Sequence, residues 1–375
     1  MFKSSITILR ISGIPIRIHV SFLLILAFLT YAIGQNIQSI ANLAGVNVGD
    51  LTVNPYGLGL ILTILLFVSV TFHELAHSFV ARRQGMTIRS ITLMLLGGVA
   101  QMEEDIDESG EMMMALAGPL FSFVFGIALL LSLRVLVPFI GPDTRLVIYY
   151  LGVINIFLAV FNMLPAFPSD GGRILRSLIA RRVPYLKATR IATNIGKGFA
   201  VLFAIFGFLT GNLLLILIAF FIYVGASQEY QLNVIRDVFS GFEVADVMSD
   251  EVSTVRADDS VSTLLRRMMD ERHSGYPVVN DSGDVVGCVT LGDVRAMPQE
   301  LAGEKRIRDI MSSELITVQP HDDLYQAFKK LSSADIGRLM VLDADGGLRG
   351  ILTRSDIMKV YRIKALQEEQ SRFEG

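Results

Sequence analysis

The residues best suited to do chemistry lie in one short stretch, Thr71-Phe72-His73-Glu74-Leu75-Ala76-His77. On a helix, His73 and His77 fall one turn apart on the same face. Two imidazoles at that spacing can hold one Zn²⁺, and a glutamate beside the first can move a proton for water in the site. The chain has 5 histidines, and this pair sits inside an apolar run. Ionisable groups in such a run are costly to keep without a function. Catalytic zinc takes three protein ligands and leaves one position open. A third ligand must come from elsewhere. One candidate is Asp170, in Asn162-Met163-Leu164-Pro165-Ala166-Phe167-Pro168-Ser169-Asp170-Gly171-Gly172-Arg173, where two prolines and two glycines forbid a regular helix. Irregular backbone at membrane depth is tolerated where it lines a cavity. The alternative is that Ser169 or Asp170 caps a helix starting near Arg173.

The elements that position these groups are read from composition. The chain has 375 residues, 52% hydrophobic and 18% charged, with net charge −3. Ordinary soluble domains carry about 25% charged residues. A generally basic nucleic-acid binder is excluded, and no nucleic-acid partner is expected. The lone cysteine, Cys288, excludes an internal disulfide and a thiolate metal cage. Charge is unevenly spread. Residues 1–230 hold 15 Lys+Arg and 11 Asp+Glu, and residues 231–375 hold 18 and 25. The first part reads as a membrane domain and the second as soluble.

Six apolar runs approach the length of about 20 residues that spans a bilayer. They are residues 18–33, 56–80, 112–133, 146–164, 191–209 and 213–226, the last two alternatively forming a re-entrant pair. With the N-terminus inside, the inner segments hold 13 basic residues and the outer ones only Arg134 and Arg145. The positive-inside rule then puts both chain ends in the cytoplasm of a multi-pass cell-membrane protein. From His73 to the Arg82-Arg83 pair is about 14 Å of helix, which sets the metal roughly 10 Å inside the membrane. Asp170 falls on the same side. Residues 87–102 read as a β-hairpin turning at Gly97-Gly98, with an open edge to which an extended peptide could add. The acidic run 103–111 reads as a solvated loop.

The soluble part repeats at an offset of 63 residues. Ala245-Asp246-Val247-Met248 returns as Arg308-Asp309-Ile310-Met311, and Thr254-Val255 as Thr317-Val318. Gly287-Cys288-Val289-Thr290-Leu291-Gly292-Asp293 returns as Gly350-Ile351-Leu352-Thr353-Arg354-Ser355-Asp356. Each copy has an amphipathic helix and short strands.

Taken together, these motifs resemble the site-2 protease family of intramembrane zinc metalloproteases, most closely its archaeal and bacterial members with a C-terminal CBS-domain pair. The resemblance rests on Gly13-Ile14-Pro15 through His19, His73–His77, Gly97-Gly98, Ala117-Gly118-Pro119 and Asn162 through Gly172, and covers nearly the whole chain. It implies a polytopic α-helical membrane domain with about six transmembrane helices and a soluble α/β CBS pair. Domains are expected at 1–230 (protease), 231–241 (linker), 242–300 and 301–363 (CBS motifs) and 364–375 (tail). By the family pattern, zinc is held by His73, His77 and Asp170. Glu74 is then the general acid–base, and Asn162 lies near the site to steady a substrate carbonyl. The implied substrates are transmembrane segments of other proteins in the lipid bilayer, unwound locally near Gly, Pro or Asn. For the CBS pair, the resemblance implies an ATP- or AMP-type ligand. Asp293 and Asp356 would take ribose hydroxyls, and Thr290 and Thr353 phosphate. Capping of the following helices is the alternative role for these four. A homodimer and nucleotide gating are further expectations. The rival class is a membrane transporter or channel with a regulatory CBS pair, since intramembrane His, Glu and Asp also mark ion paths.

Overall fold

The computed structural model describes residues 5–94, 97–102, 108–297 and 305–373. It divides into two compact units, Met1–Asn233 and Val234–Gly375, described separately below. Lys3, Leu95-Leu96, residues 103–107 of the acidic run and the junction expected at 300/301 lie outside the described residues.

The first unit opens with strands rather than a helix. β1 (Ser5–Ile11) and β2 (Ile14–His19) form an antiparallel hairpin. α1 (Phe22–Gln35) and α2 (Ile37–Leu43) follow, bent by 64°. The expected first span, 18–33, is therefore corrected. Its first residues belong to β2, and α1 has only 14 residues. Asn36 sits at the bend, its amide donating to Ala32 O at 2.8 Å. Among the described residues, the bent pair taken together makes a sixth candidate span.

α3 (Pro55–Arg83) carries the His-Glu-x-x-His stretch. Asn54 caps it by accepting from Gly57 N at 2.8 Å, and Pro55 fits the first turn, where its missing N–H costs nothing. Arg82 and Arg83 sit in the last turn, where the helix dipole favours cations. β3 (Ile88–Met94) and β4 (Gly97–Met102) are the expected hairpin. Gly97 and Gly98 are not its turn, however. They pair with Met94 and Leu93 as the first residues of β4. The sheet order is β1-β2-β3-β4, with β2 and β3 parallel, so β4 is an edge among the described residues. Ile14, Ile16 and Ile91 of the sheet pack on Leu75 of α3, which seats the sheet beside Glu74.

α4 (Glu108–Leu136), α5 (Pro142–Asn162), α6 (Asp170–Ala180), α7 (Tyr185–Thr210) and α8 (Leu213–Phe239) complete the unit. Among the described residues, α4, α5, α7 and α8 join α3 as five helices long and apolar enough to cross a membrane. α7 and α8 are separate full-length candidates, joined through Gly211 in the left-handed region at φ +67°. Of the residues expected as linker, 231–241, the first nine continue α8, which ends at Phe239.

The second unit contains the repeat. β5 (Val255–Arg256), α9 (Val261–Glu271), β6 (Gly275–Val279), β7 (Val285–Thr290) and α10 (Leu291–Ala296) form the first copy. β8 (Thr317–Val318), α11 (Leu324–Ala334), β9 (Arg338–Leu342), β10 (Leu348–Thr353) and α12 (Arg354–Phe373) form the second. Each copy has a three-stranded sheet with its helix packed on a separate apolar core. The copies exchange backbone symmetrically. Ser249 N donates to Ile351 O at 2.9 Å, and Ser312 N to Cys288 O at 2.9 Å. These positions are related by the repeat offset, so each copy completes the other.

Candidate metal centre

Three side chains meet inside the apolar helices. His73 and His77 project from α3, and Asp170 is the first residue of α6. His73 Nε2 lies 3.3 Å from Asp170 Oδ2, and His77 Nε2 lies 3.2 Å from the same oxygen. The two Nε2 atoms are 3.2 Å apart. Both histidines are buried and Asp170 is nearly so.

The far side of each ring is fixed. His77 Nδ1 lies 2.7 Å from Met114 O, which can only accept, so Nδ1 carries the proton. In the neutral ring, Nε2 then presents its lone pair to the cluster. His73 Nδ1 meets Ser122 Oγ at 2.9 Å. Such outer contacts orient a ligating imidazole. The cluster thus turns the Asp170 carboxylate oxygen, the His77 lone pair and His73 Nε2 toward one point, a donor set that suits a shared cation. For tetrahedral zinc with bonds of about 2.0–2.1 Å, ligand atoms should stand about 3.3 Å apart. The observed separations fit.

Helix α4 leaves room for the ion. A Cβ built on Gly118 would fall on His77 Nε2 and lie 2.7 Å from His73 Nε2. Only glycine keeps that space open. Met114, Gly118 and Ser122 are spaced by four and line one stripe of α4. The sequence reading named Gly118 as a motif residue but missed Met114 and Ser122. The small-residue spacing from Gly118 to Ser122 was the available signal.

Asp170 does not cap α6. Ser169 holds the N-cap position, yet its hydroxyl donates back toward Leu164 O and Ala166 O, at 2.7 and 2.6 Å. The Asp170 carboxylate is thereby left to face the histidines. Gly171 follows because a Cβ there would strike the Leu164 and Met163 carbonyls.

Glu74 stands beside His73 and under the sheet. A Cβ on Gly98 of β4 would come within 2.6 Å of Glu74 Cγ. The open edge of β4 therefore begins directly over the Glu74 side chain. Asn162 ends α5, and its amide donates to Leu158 O at 3.0 Å, back along its own helix. The structure gives it no contact with the three candidate ligands. His19, another motif residue, pairs with Ser21 Oγ at 2.8 Å.

The reading of 103–111 as a solvated loop is corrected at its end. Glu111 lies in α4, 4% exposed, and accepts from Arg176, Ser177 and Tyr185. Arg176, also 4% exposed, donates to Glu229 Oε1 at 2.6 Å as well.

In the second unit, all four nominated residues cap helices. Thr290 N and Oγ1 both donate to Asp293 Oδ2 at 2.7 Å. Thr353 repeats this with Asp356 Oδ2, at 3.2 and 2.6 Å. Lys359 Nζ adds a 3.0 Å contact to Asp356 Oδ1. Burial works against the Asp356 charge, but these bonds outweigh it and hold the carboxyl below its usual range. Burial pushes the Cys288 thiol up to about 11, which makes it a poor nucleophile.

Long apolar helices around a His-His-Asp cluster, with a glutamate alongside, define a membrane metallohydrolase. Comparison with known proteins names the family. The model for Peptidase family M50 matches residues 61–139 and 139–205, and the CBS domain model matches 244–299 and 307–363. A zinc metalloprotease of Methanocaldococcus jannaschii is 36% identical over 365 residues, spanning 97% of this chain and 98% of that protein. The solved site-2 protease from Methanocaldococcus jannaschii is 41% identical, covering 60% of this chain and 95% of its own, with a TM-score of 0.44. The structure of CBSX2 in complex with AMP is 30% identical over 34% of this chain and 99% of its own, with a TM-score of 0.31. The chain belongs to Peptidase family M50, the site-2 protease zinc metalloproteases, and carries a CBS-domain pair. That membership sets aside the transporter reading.

Proposed function

We propose that this metalloprotease hydrolyses peptide bonds in or next to the membrane-spanning segments of other proteins. The convergence of His73, His77 and Asp170 within apolar helices carries the reading. His73, His77 and Asp170 would hold the zinc. Bound zinc supplies a Lewis acid for the scissile carbonyl and lowers the pKa of water in the site. Glu74 takes the proton from the attacking water and delivers it to the leaving amine nitrogen. The β4 edge receives the unwound substrate as an added strand, which carries the scissile bond past Glu74. Asn162 gives one amide N–H to Leu158 O, which leaves the second to donate to a substrate carbonyl.

The site faces the cytoplasm, with both chain ends on that side, on the strength of the basic-residue asymmetry. The CBS pair takes an adenine nucleotide, with Asp293 or Asp356 on the ribose hydroxyls and Thr290 or Thr353 toward phosphate. It thereby tunes proteolysis in what we take to be a homodimer. Support comes from the paired Thr/Asp groups at equivalent helix starts in the two repeats.

The test is cleavage of a membrane-spanning reporter by the full chain in lipid vesicles. Glu74→Gln should lower the rate by about 10²–10⁴-fold while zinc stays bound. Cleavage by Glu74→Gln at the parent rate would overturn the reading.

A further inference from the structure

Arg176 is a heavily committed charge in the membrane unit. Its guanidinium is bidentate on Glu111 of α4, through Nε at 3.2 Å and through Nη2, and reaches Glu229 of α8 through Nη1 at 2.6 Å. It stacks between the rings of Phe167, at 4.9 Å, and Tyr185, at 4.8 Å. Four elements besides its own helix therefore converge on one side chain: α4, the 163–169 loop, α7 and α8. Glu111 is further held by Ser177 Oγ at 3.2 Å and Tyr185 OH at 3.3 Å.

A buried ion cluster of this kind is a poor source of stability, because desolvation consumes most of the attraction. Its value lies in geometry. Arg176 shares α6, an 11-residue helix, with Asp170. Six residues of helix put the two about 9 Å apart along the axis and about 120° apart around it. A helix held at only one end can turn and swing the other. Held at Arg176 by a planar fork, α6 can neither rotate nor slide, and the Asp170 carboxylate stays on the two imidazoles. Phe167 closes the arrangement. It lies three residues before Asp170, is 1% exposed, touches Arg176, and packs with Ala226 of α8 and Leu175 of α6.

We propose that Arg176, clamped by Glu111 and Glu229, is the positioning residue that holds α6 so that Asp170 completes the metal centre. This rests on the reading of Asp170 as a zinc ligand. Arg176 touches neither substrate nor metal. It acts through the helix it shares with the ligand, and Glu229 makes α8 a partner in metal retention.

The experiment follows zinc transfer from the detergent-purified full chain to a chromogenic chelator. The variants are Arg176→Lys, which keeps the charge and loses the fork, and Glu229→Gln, which keeps size and loses the ion pair. Arg190→Lys is the control. Arg190 ties α7 to α8 through Tyr230 OH at 2.8 Å and does not engage α6. Arg176→Lys and Glu229→Gln should each release zinc about tenfold faster, with parent-like stoichiometry and parent-like unfolding of the zinc-free forms. Arg190→Lys should release it at the parent rate. Parent-like release from folded Arg176→Lys or from Glu229→Gln would overturn the proposal, as would equal acceleration by Arg190→Lys. Should Arg176→Lys fail to fold, Glu229→Gln alone decides. A parent chain that takes up no zinc would overturn the ligand reading itself, which separates the two failures.

Discussion

Gly118 of α4 faces His77 of α3 so closely that a methyl group on it would fall on the ring Nε2. The same methyl would lie 2.7 Å from His73 Nε2, in the space the metal needs. Gly118→Ala should therefore cut zinc from about one per chain to below about a tenth, by elemental analysis of purified protein. Gly198→Ala in α7 is the control, because a Cβ there meets nothing within 4 Å. It should keep full zinc and gain about 0.4–1 kcal/mol of stability. Full zinc in Gly118→Ala would contradict the geometry.

Gly98 governs the other side of the site. A Cβ there would press on Glu74 Cγ at 2.6 Å and Cδ at 3.2 Å, and the nearest atoms it would meet are all of Glu74. Gly98→Val should lower kcat by about 10²-fold and leave zinc content at the parent level. Unchanged kcat, measured on a membrane-spanning reporter, would show that β4 does not set the position of Glu74.

The Thr/Asp pairs of the CBS unit separate capping from ligand binding. Asp293→Asn and Asp356→Asn keep a side chain able to cap, so helix stability should change by less than about 1 kcal/mol. If either carboxylate holds ribose hydroxyls, its Asn variant should bind AMP or ATP about tenfold more weakly, by titration calorimetry on the full chain. Parent affinity in both variants would leave capping as the only role of the two carboxylates.

Asp356 also predicts a pH effect. Burial raises its pKa, but the bonds from Thr353 and Lys359 overcome that and leave the folded value below the unfolded one, near 3.9. A depressed carboxylate contributes stability that is complete above the unfolded value and is lost as pH falls through the folded one. The thermal midpoint of the second unit should drop more steeply below pH 4 in the parent than in Asp356→Asn. Parallel curves would refute this.

What the sequence made legible follows from periodicity. His73 and His77 announce themselves because a helix repeats every 3.6 residues, and the CBS pair because its copies return at a fixed offset. The β1–β2 hairpin was hidden. Ile6, Ile8 and Leu9 are all exposed apolar residues, which blurs the alternation that marks a half-buried strand. The run at 18–33 joins the end of β2 to α1 and stops short of α2, because strand and helix are equally apolar where they meet. Glu111 read as solvated because its partner Arg176 is 65 residues away, and such pairing has no local signature. The same holds for Met114, whose role at His77 is played by a backbone carbonyl.

The central claim is that His73, His77 and Asp170 hold one zinc. The direct measurement is zinc per chain in detergent-purified protein, for the parent and for His73→Ala and Asp170→Ala, each after reconstitution with the metal. About one zinc in the parent and a loss in both variants is the predicted result. A parent that binds no zinc, or an Asp170→Ala variant that keeps the parent's full content at the parent's affinity, would contradict the account.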